Sequence, residues 1–319
     1  MTTESSYGVE RRDVLKGVGA AGLAGLAGCM GGSSGEQISW HAGGQSGTYY
    51  PLSNEFKTIV DGNTDHSLTV QSTGASVENV GSLGSGDADF ALIQNDVAYF
   101  ARNGTSLETF EGNPVESLRG VATLYPETIH IVVRPDAGIE SLSDMEGKSI
   151  NTGDLGSGTQ VNALQILETV GITTDDFDQQ NADFGTAADQ LRDGDVEAAF
   201  VVGGWPVGAV ADLAETADVE LLNLDSDTRD DLKDAASWFA DDTIPAGTYS
   251  DIDQEVNTVS VQAMIATRAD YSADVVEAVT AAIFDNLGEL TIKTDFISVD
   301  TAQDGMSIEL HEGAARYFE

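Results

Sequence analysis

The chain has 319 residues, and its 54 Asp and Glu stand against only 14 Lys and Arg, for a formal net charge of -40. That balance excludes nucleic-acid binding, because no basic stripe exists to neutralise phosphates, while 41% hydrophobic content excludes a disordered acidic tail. The length exceeds what one hydrophobic core holds and points to two domains. The acids are spread along the chain, so the surface repels itself in dilute buffer. At about 1 M salt the Debye length falls to roughly 3 Å and that repulsion is screened. This is the surface of a protein adapted to high salt; an acidic face for a basic partner would need localised charge.

Residues 1–28 read as an export signal. Arg11-Arg12 precede a small-residue apolar run, Gly17 to Gly28, which ends L-A-G before Cys29, the single cysteine. That is a twin-arginine signal with a lipobox, leaving Cys29 as a lipid-bearing N-terminus. The run is far short of the roughly 20 apolar residues a membrane span needs. Localisation is therefore expected to be extracytoplasmic, on the outer face of the cell membrane, with no disulfide available to the exported domain. Residues 29–36 form a Gly/Ser tether.

From there short apolar strands alternate with amphipathic helices, the pattern of an α/β protein with parallel sheet. Strand Ile38–His41 leads through G-G-Q-S-G-T into a helix from Tyr49 to Val60. Strand Leu68–Gln71 leads through S-T-G-A-S into helix Val77–Leu83, and strand Asp89–Ile93 into a helix through Tyr99. Gly120–Leu124 and Ile129–Val133 are two further apolar runs with Pro126 between them. After Pro135 come a short element at Ser141–Lys148, strand Ser149–Asn151, the turn G-S-G-T and helix Val161–Val170. Helix Thr186–Arg192, strand Ala198–Val202, helix Val207–Ala214 and strand Val219–Leu222 follow. Val256–Ile265 is a long apolar run, and Ser272–Leu287 an amphipathic helix. Two lobes are expected: 37–128 with 261–319, and 129–260.

Three glycine-rich turns, Gly43–Thr48, Thr73–Ser76 and Gly156–Thr159, each pass from a strand into a helix. A helix N-terminus offers unpaired N–H groups and about half a positive charge, and glycines let a ligand approach that backbone closely. Ser46, Thr48, Thr73, Ser76, Ser157 and Thr159 add hydroxyls. Such turns can hold an anion without a cationic side chain. Any one of them alone is an ordinary N-cap, but three, divided between the two expected lobes, point to a ligand between them. Tyr125 and Trp205 lie at strand carboxyl ends, where open α/β sheets bind ligands, and Gln94 ends a third strand. No nucleotide motif is present. His41, His66, His130 and His311 lack metal-ligand spacing, and no nucleophile–base set points to an enzyme. No cofactor and no metal are expected.

The succession G-G-Q-S-G-T-Y-Y-P-L, S-T-G-A-S-V-E-N-V, A-L-I-Q-N-D, I-E-S-L-S-D-M-E-G-K-S-I, G-S-G-T and G-D-V-E-A-A-F-V-V-G-G-W-P resembles the TAXI class of TRAP-transporter solute receptors. The ending H-E-G-A-A-R-Y-F-E is similar to that family's H-P-G-A-x-R-Y-Y. The resemblance implies a type II periplasmic-binding-protein fold, with two α/β lobes of mixed and parallel sheet closing on a cleft. It implies a small organic anion, glutamate-like or a dicarboxylate, delivered to a TRAP permease driven by an ion gradient. By motif match it places Gly47, Thr48, Tyr49, Thr73, Gly74, Ala75, Ser76, Gln94, Gly156, Ser157, Gly158 and Thr159 at the ligand; Tyr125 and Trp205 join them by position only. Gln45 and Trp205 depart from the family pattern and bear on ligand size. A sensor or scavenging receptor on the same fold is the alternative function; an exported hydrolase or a cation-binding surface protein would belong to another class.

Overall fold

The computed structural model describes residues 35–319; the export signal, Cys29 and most of the tether lie outside them. The first half alternates β1 (Gln37–His41), α1 (Tyr49–Asn63), β2 (Ser67–Gln71), α2 (Ser76–Ser85), β3 (Phe90–Gln94) and α3 (Asn95–Asn103) before the long strand β4 (Leu118–Val133). Next come β5 (Ser149–Asn151), α4 (Gly158–Thr169), β6 (Asp178–Gln180), α5 (Phe184–Asp193), β7 (Ala198–Gly203) and α6 (Gly208–Ala214). The chain continues through β8 (Glu220–Leu221), α7 (Ser226–Ala235), β9 (Ala240–Ile244), the long strand β10 (Val256–Arg268), α8 (Ala273–Asp285) and α9 (Glu312–Phe318).

One mixed sheet runs in the order β2-β1-β3-β10-β4-β7-β5-β6, with β8 added to β4 and β9 to β10. The flanking strands are parallel within each end, whereas β4 and β10 pair with each other antiparallel. Each long strand serves both ends. β10 pairs with β3 through residues 263–267 and with β9 through 256–260, and β4 reaches β7 only from Thr128 onward. This is a two-lobed α/β architecture in which two strands cross from one lobe to the other.

Both faces of each end of the sheet are covered. Ile38, Trp40, Leu52, Phe56, Phe90 and Ile283 form the core under α1 and α8, with Trp40 stacked on Phe90 at 5.5 Å. Val80, Leu83, Ile93, Val97 and Phe100 fill the opposite face. In the second lobe Ile131, Ile150, Ile166 and Phe200 pack on one side and Val132, Leu191, Val201 and Leu213 on the other. Strands buried on both faces read as continuous apolar runs, which is why β3 and β7 are fully buried.

The structure corrects the sequence reading in places. Gly120–Leu124 and Ile129–Val133 are one strand, not two. Pro126 sits where the β4–β10 register shifts between Gln262 and Met264, so its missing N–H falls at an irregularity of the ladder. Four elements carry no readable period: β6, α7, β9 and α9. Among the residues of α7 only Leu232 is buried, so its sequence SDTRDDLKDA has no apolar stripe.

Candidate functional site

A cavity of about 520 Å³ opens at the carboxyl ends of the strands. Gly43 to Tyr49, Ser72 to Ser76, Gln94 and Glu127 line it from the first lobe. Asp154, Ser157 to Thr159, Asp183, Phe184 and Val202 line it from the second. The structure thus brings together Gly47, Thr48, Tyr49, Thr73, Gly74, Ala75, Ser76, Gln94, Ser157, Gly158 and Thr159. It leaves Gly156, Tyr125 and Trp205 outside the lining. Gly156 turns its carbonyl onto α2, accepting from the N–H groups of Val77 and Glu78 at 3.1 and 3.3 Å. Tyr125 is buried, with its hydroxyl 3.4 Å from Glu127. Trp205 packs edge-on against Phe296 at 5.8 Å, and its carbonyl accepts from Lys293.

Local chemistry explains each turn. In the first, Gly43 packs against the side chain of Tyr49, where a Cβ would stand 3.2 Å from the tyrosine Cβ. Gly47 donates back to the Gly44 carbonyl. In the second, the Thr73 hydroxyl accepts from Ala75 N–H and the Glu78 carboxylate from Gly74 N–H. These bonds hold Ala75 at φ 71° and ψ -140°, a strained setting of the kind that clusters at ligand sites. In the third, Gly153 sits at φ 95° against Thr159, and Ser157 caps α4 by accepting from Gln160 N–H.

Several hydroxyls expected to serve a ligand are occupied by the protein itself. Thr73 and Ser157 hold their turns, and Ser76 accepts from the Gln94 N–H. Thr48 donates to the Gly204 carbonyl at 3.3 Å, across the lobes. The N terminus of α2 is likewise filled by Gly156. By contrast, the N–H groups of Thr48, Tyr49, Gly158 and Thr159 have no acceptor among the described residues, so α1 and α4 present free donors to the cavity from opposite lobes.

Sequence reasoning missed Glu127, Asp154, Asp183 and Phe184. Glu127 is 3% exposed and stands mid-way along β4, where the strand passes between lobes. Its carboxylate accepts from Tyr49 Oη at 2.9 Å and from Tyr125. Burial pushes its carboxyl up to about 7, against the opposing hydrogen bonds of Tyr49, Gln94 and Tyr125. A lone acid inside the apolar run of β4 was the available signal. Outside the lining, Lys293 hangs over the rings of Tyr125 and Trp205 at 5.9 and 5.6 Å. Burial lowers its ammonium to about 8, offset by Glu127 and Asp242. No Lys, Arg or His lines the cavity.

Further contacts tie the lobes. Asn162 of α4 donates to Asp96 of α3 at 2.8 Å, burial having pushed Asp96 up to about 6. Trp238 packs edge-on against Phe100 at 4.7 Å. Of the two histidines in apolar strands, His130 is satisfied by Tyr249, Thr128 and Val201, whereas His41 Nδ1 has no partner. Among the described residues no group of three or more His, Cys, Asp or Glu could hold a metal ion, and no helix is long and apolar enough to cross a membrane.

The sequence profile of the NMT1-like family matches residues 41–319, nearly the whole described chain. The chain belongs to the NMT1-like family. Among solved structures, one from Bordetella bronchiseptica RB50 superposes with a TM-score of 0.55 at 15% identity, over 88% of this chain and 82% of that one. A putative L-cystine ABC transporter protein from Listeria monocytogenes gives 0.48 at 14% identity, over 84% and 98%. The alkanesulfonate-binding protein SsuA from Xanthomonas axonopodis pv. citri, bound to MOPS, gives 0.48 at 14%, over 88% and 83%. At 15% identity the likeness of this NMT1-like chain to the Bordetella structure is one of fold.

Proposed function

We propose that this NMT1-like protein is an extracytoplasmic solute receptor of the TAXI type. It captures a small organic solute through a carboxylate and hands it to the membrane subunits of a TRAP permease. One observation carries the reading. A cavity between two lobes is faced by the free N–H groups of α1 and α4, and no basic side chain lines it. The N-terminus of each helix carries about half a positive charge, so the pair can balance one carboxylate without an arginine. The cavity volume is that of small-molecule sites, roughly 300–1,000 Å³.

The lobes, 37–128 with 261–319 and 129–260, would part and close by bending where β4 and β10 cross between them. The bonds from α2 to Gly156, from Thr48 to Gly204 and from Asn162 to Asp96 belong to the closed state. Cleavage before Cys29 and acylation there would tether the receptor to the outer face of the membrane. The test is mass spectrometry of the solute carried through purification in molar salt, with a thermal-shift screen of amino acids and carboxylates. A carboxylate-bearing solute that raises the melting temperature is expected. Turnover of the solute, or a bound inorganic cation in its place, would refute the receptor reading.

A further inference from the structure

Two buried oxygens between the lobes lack a donor, and they belong to the same pair of side chains. Asp96, the second residue of α3, and Asn162, in the second turn of α4, are both 0% exposed. The Asn162 amide donates to Asp96 Oδ2 at 2.8 Å, while Asp96 Oδ1 and Asn162 Oδ1 have no partner among the described residues. Buried acceptors almost always find a donor, and an ionised carboxylate out of water is costlier still. Turning the amide over is no remedy, since it would set the Asn162 oxygen against the carboxylate and lose the one bond present. A single proton satisfies both orphans, because a carboxylic acid adds an O–H donor and removes the charge.

We propose that Asp96 is a proton-binding site of the closed receptor. As the lobes shut, its carboxyl takes one proton from solvent onto Oδ1, which then donates to Asn162 Oδ1; opening returns that proton to solvent. This rests on the receptor reading and adds a regulation to it: whatever the solute, the lobes close more readily as the pH falls.

The surroundings fit. Burial pushes Asp96 up to about 6, against the hydrogen bonds of Asn162 and of the N–H groups of Val97 and Asp96 itself. Glu127 of β4 is the charged group that faces it, raised first by burial and in lesser part by Asp96. The other charges on the elements around it are engaged or distant. Glu78 of α2 accepts from Gly74 N–H, and Arg268 of β10 pairs with Asp89. Arg102 of α3 and Arg119 of β4 pair with Glu309, Glu168 lies at the far end of α4, and β3 carries no charge. In the open state the cover of α4 is gone, and Asp96 returns towards an ordinary value near 3.9. The closed state therefore binds the proton more tightly. Closure is unpenalised below about pH 4, loses about tenfold per pH unit from there to about 6, and is flat above.

Small-angle scattering on the full chain in molar salt tests this at pH 5 and pH 7.5. One sample is used as purified, and a second is stripped of bound solute by dialysis in denaturant and then refolded. The stripped chain should become more compact at pH 5, its closing equilibrium being about tenfold more favourable there. Asp96→Asn, whose amide can donate to Asn162 Oδ1 at any pH, should be the more compact at pH 7.5 and lose the response. Glu127→Gln should keep it, and the comparison of wild type with Glu127→Gln decides should Asp96→Asn fail to fold. A response that survives Asp96→Asn or vanishes in Glu127→Gln would overturn the proton site. So would a stripped chain of one size at both pH values beside a compact purified one, the result expected if water bridges the two oxygens; the receptor would then stand. Purified and stripped chains alike in size at both pH values would overturn both.

Discussion

Replacing Gly158 with Ala separates closure from stability. Gly158 opens α4, and a Cβ there would fall inside the van der Waals surface of the Gln94 side-chain oxygen and 2.9 Å from Ser76 Oγ. Both obstacles belong to the other lobe, so the methyl group meets them only when the cleft is shut. Within the helix the same methyl removes backbone freedom from the unfolded chain, a gain of about 0.5–1 kcal/mol over glycine. Overpacking a filled contact costs about 1–3 kcal/mol. That cost bears on the closed state alone, and at 1.4 kcal/mol per factor of ten it weakens solute binding by about 5- to 150-fold. The assay pairs thermal unfolding in molar salt with solute titration and small-angle scattering. Expected are an unchanged or slightly raised melting temperature, weaker binding and a larger radius of gyration in the presence of solute. A variant that binds as wild type and compacts as wild type would refute closure across Gly158.

Thr159→Val should weaken solute binding with little change in stability, since no bond of its hydroxyl supports the fold. Thr48→Val should lose both some affinity and about 1 kcal/mol, because its hydroxyl bridges to Gly204; affinities and melting curves in parallel check the pair. Glu127 sets a pH dependence whose sign is opposite to that of a salt-bridged acid. Its folded carboxyl lies near 7 and its unfolded one near 4.3, so the unfolded chain loses its proton first. Its burial therefore costs nothing below pH 4, and the cost grows to about 4 kcal/mol as the pH rises from roughly 4.3 to 7. Relative to wild type, Glu127→Gln should gain stability across that window and show a flat difference above it. A constant difference from pH 4 to 8 would contradict the burial of that charge. With a net charge of -40, the melting temperature should rise from dilute buffer to molar salt as repulsion is screened; an unchanged value would refute salt adaptation.

The three glycine turns were legible because Gly, Ser and Thr between an apolar run and an amphipathic stretch have few other readings. Their convergence on one cavity was legible only as a consequence of parallel strand order. What escaped was carried by single residues or by contacts far apart in the chain. Glu127 is one acid among 54, distinguished only by the apolar strand around it. Lys293 reaches Tyr125 and Trp205 from a C-terminal loop with no regular period. Helix α7 and strand β9 escaped because aspartate covers their outer faces, erasing the apolar alternation on which reading depends. The same turns misled in one respect: Thr73, Ser157 and the α2 N-terminus are occupied by the protein's own bonds, which composition alone does not distinguish from ligand donors.

A crystal structure of the receptor grown in molar salt with its co-purified solute tests the arrangement most directly. A carboxylate is expected within hydrogen-bond reach of the N–H groups of Thr48 or Tyr49 and of Gly158 or Thr159, bridging the two lobes. A solute bound elsewhere, or one whose carboxylate is met by a lysine or arginine instead of these amides, would contradict it.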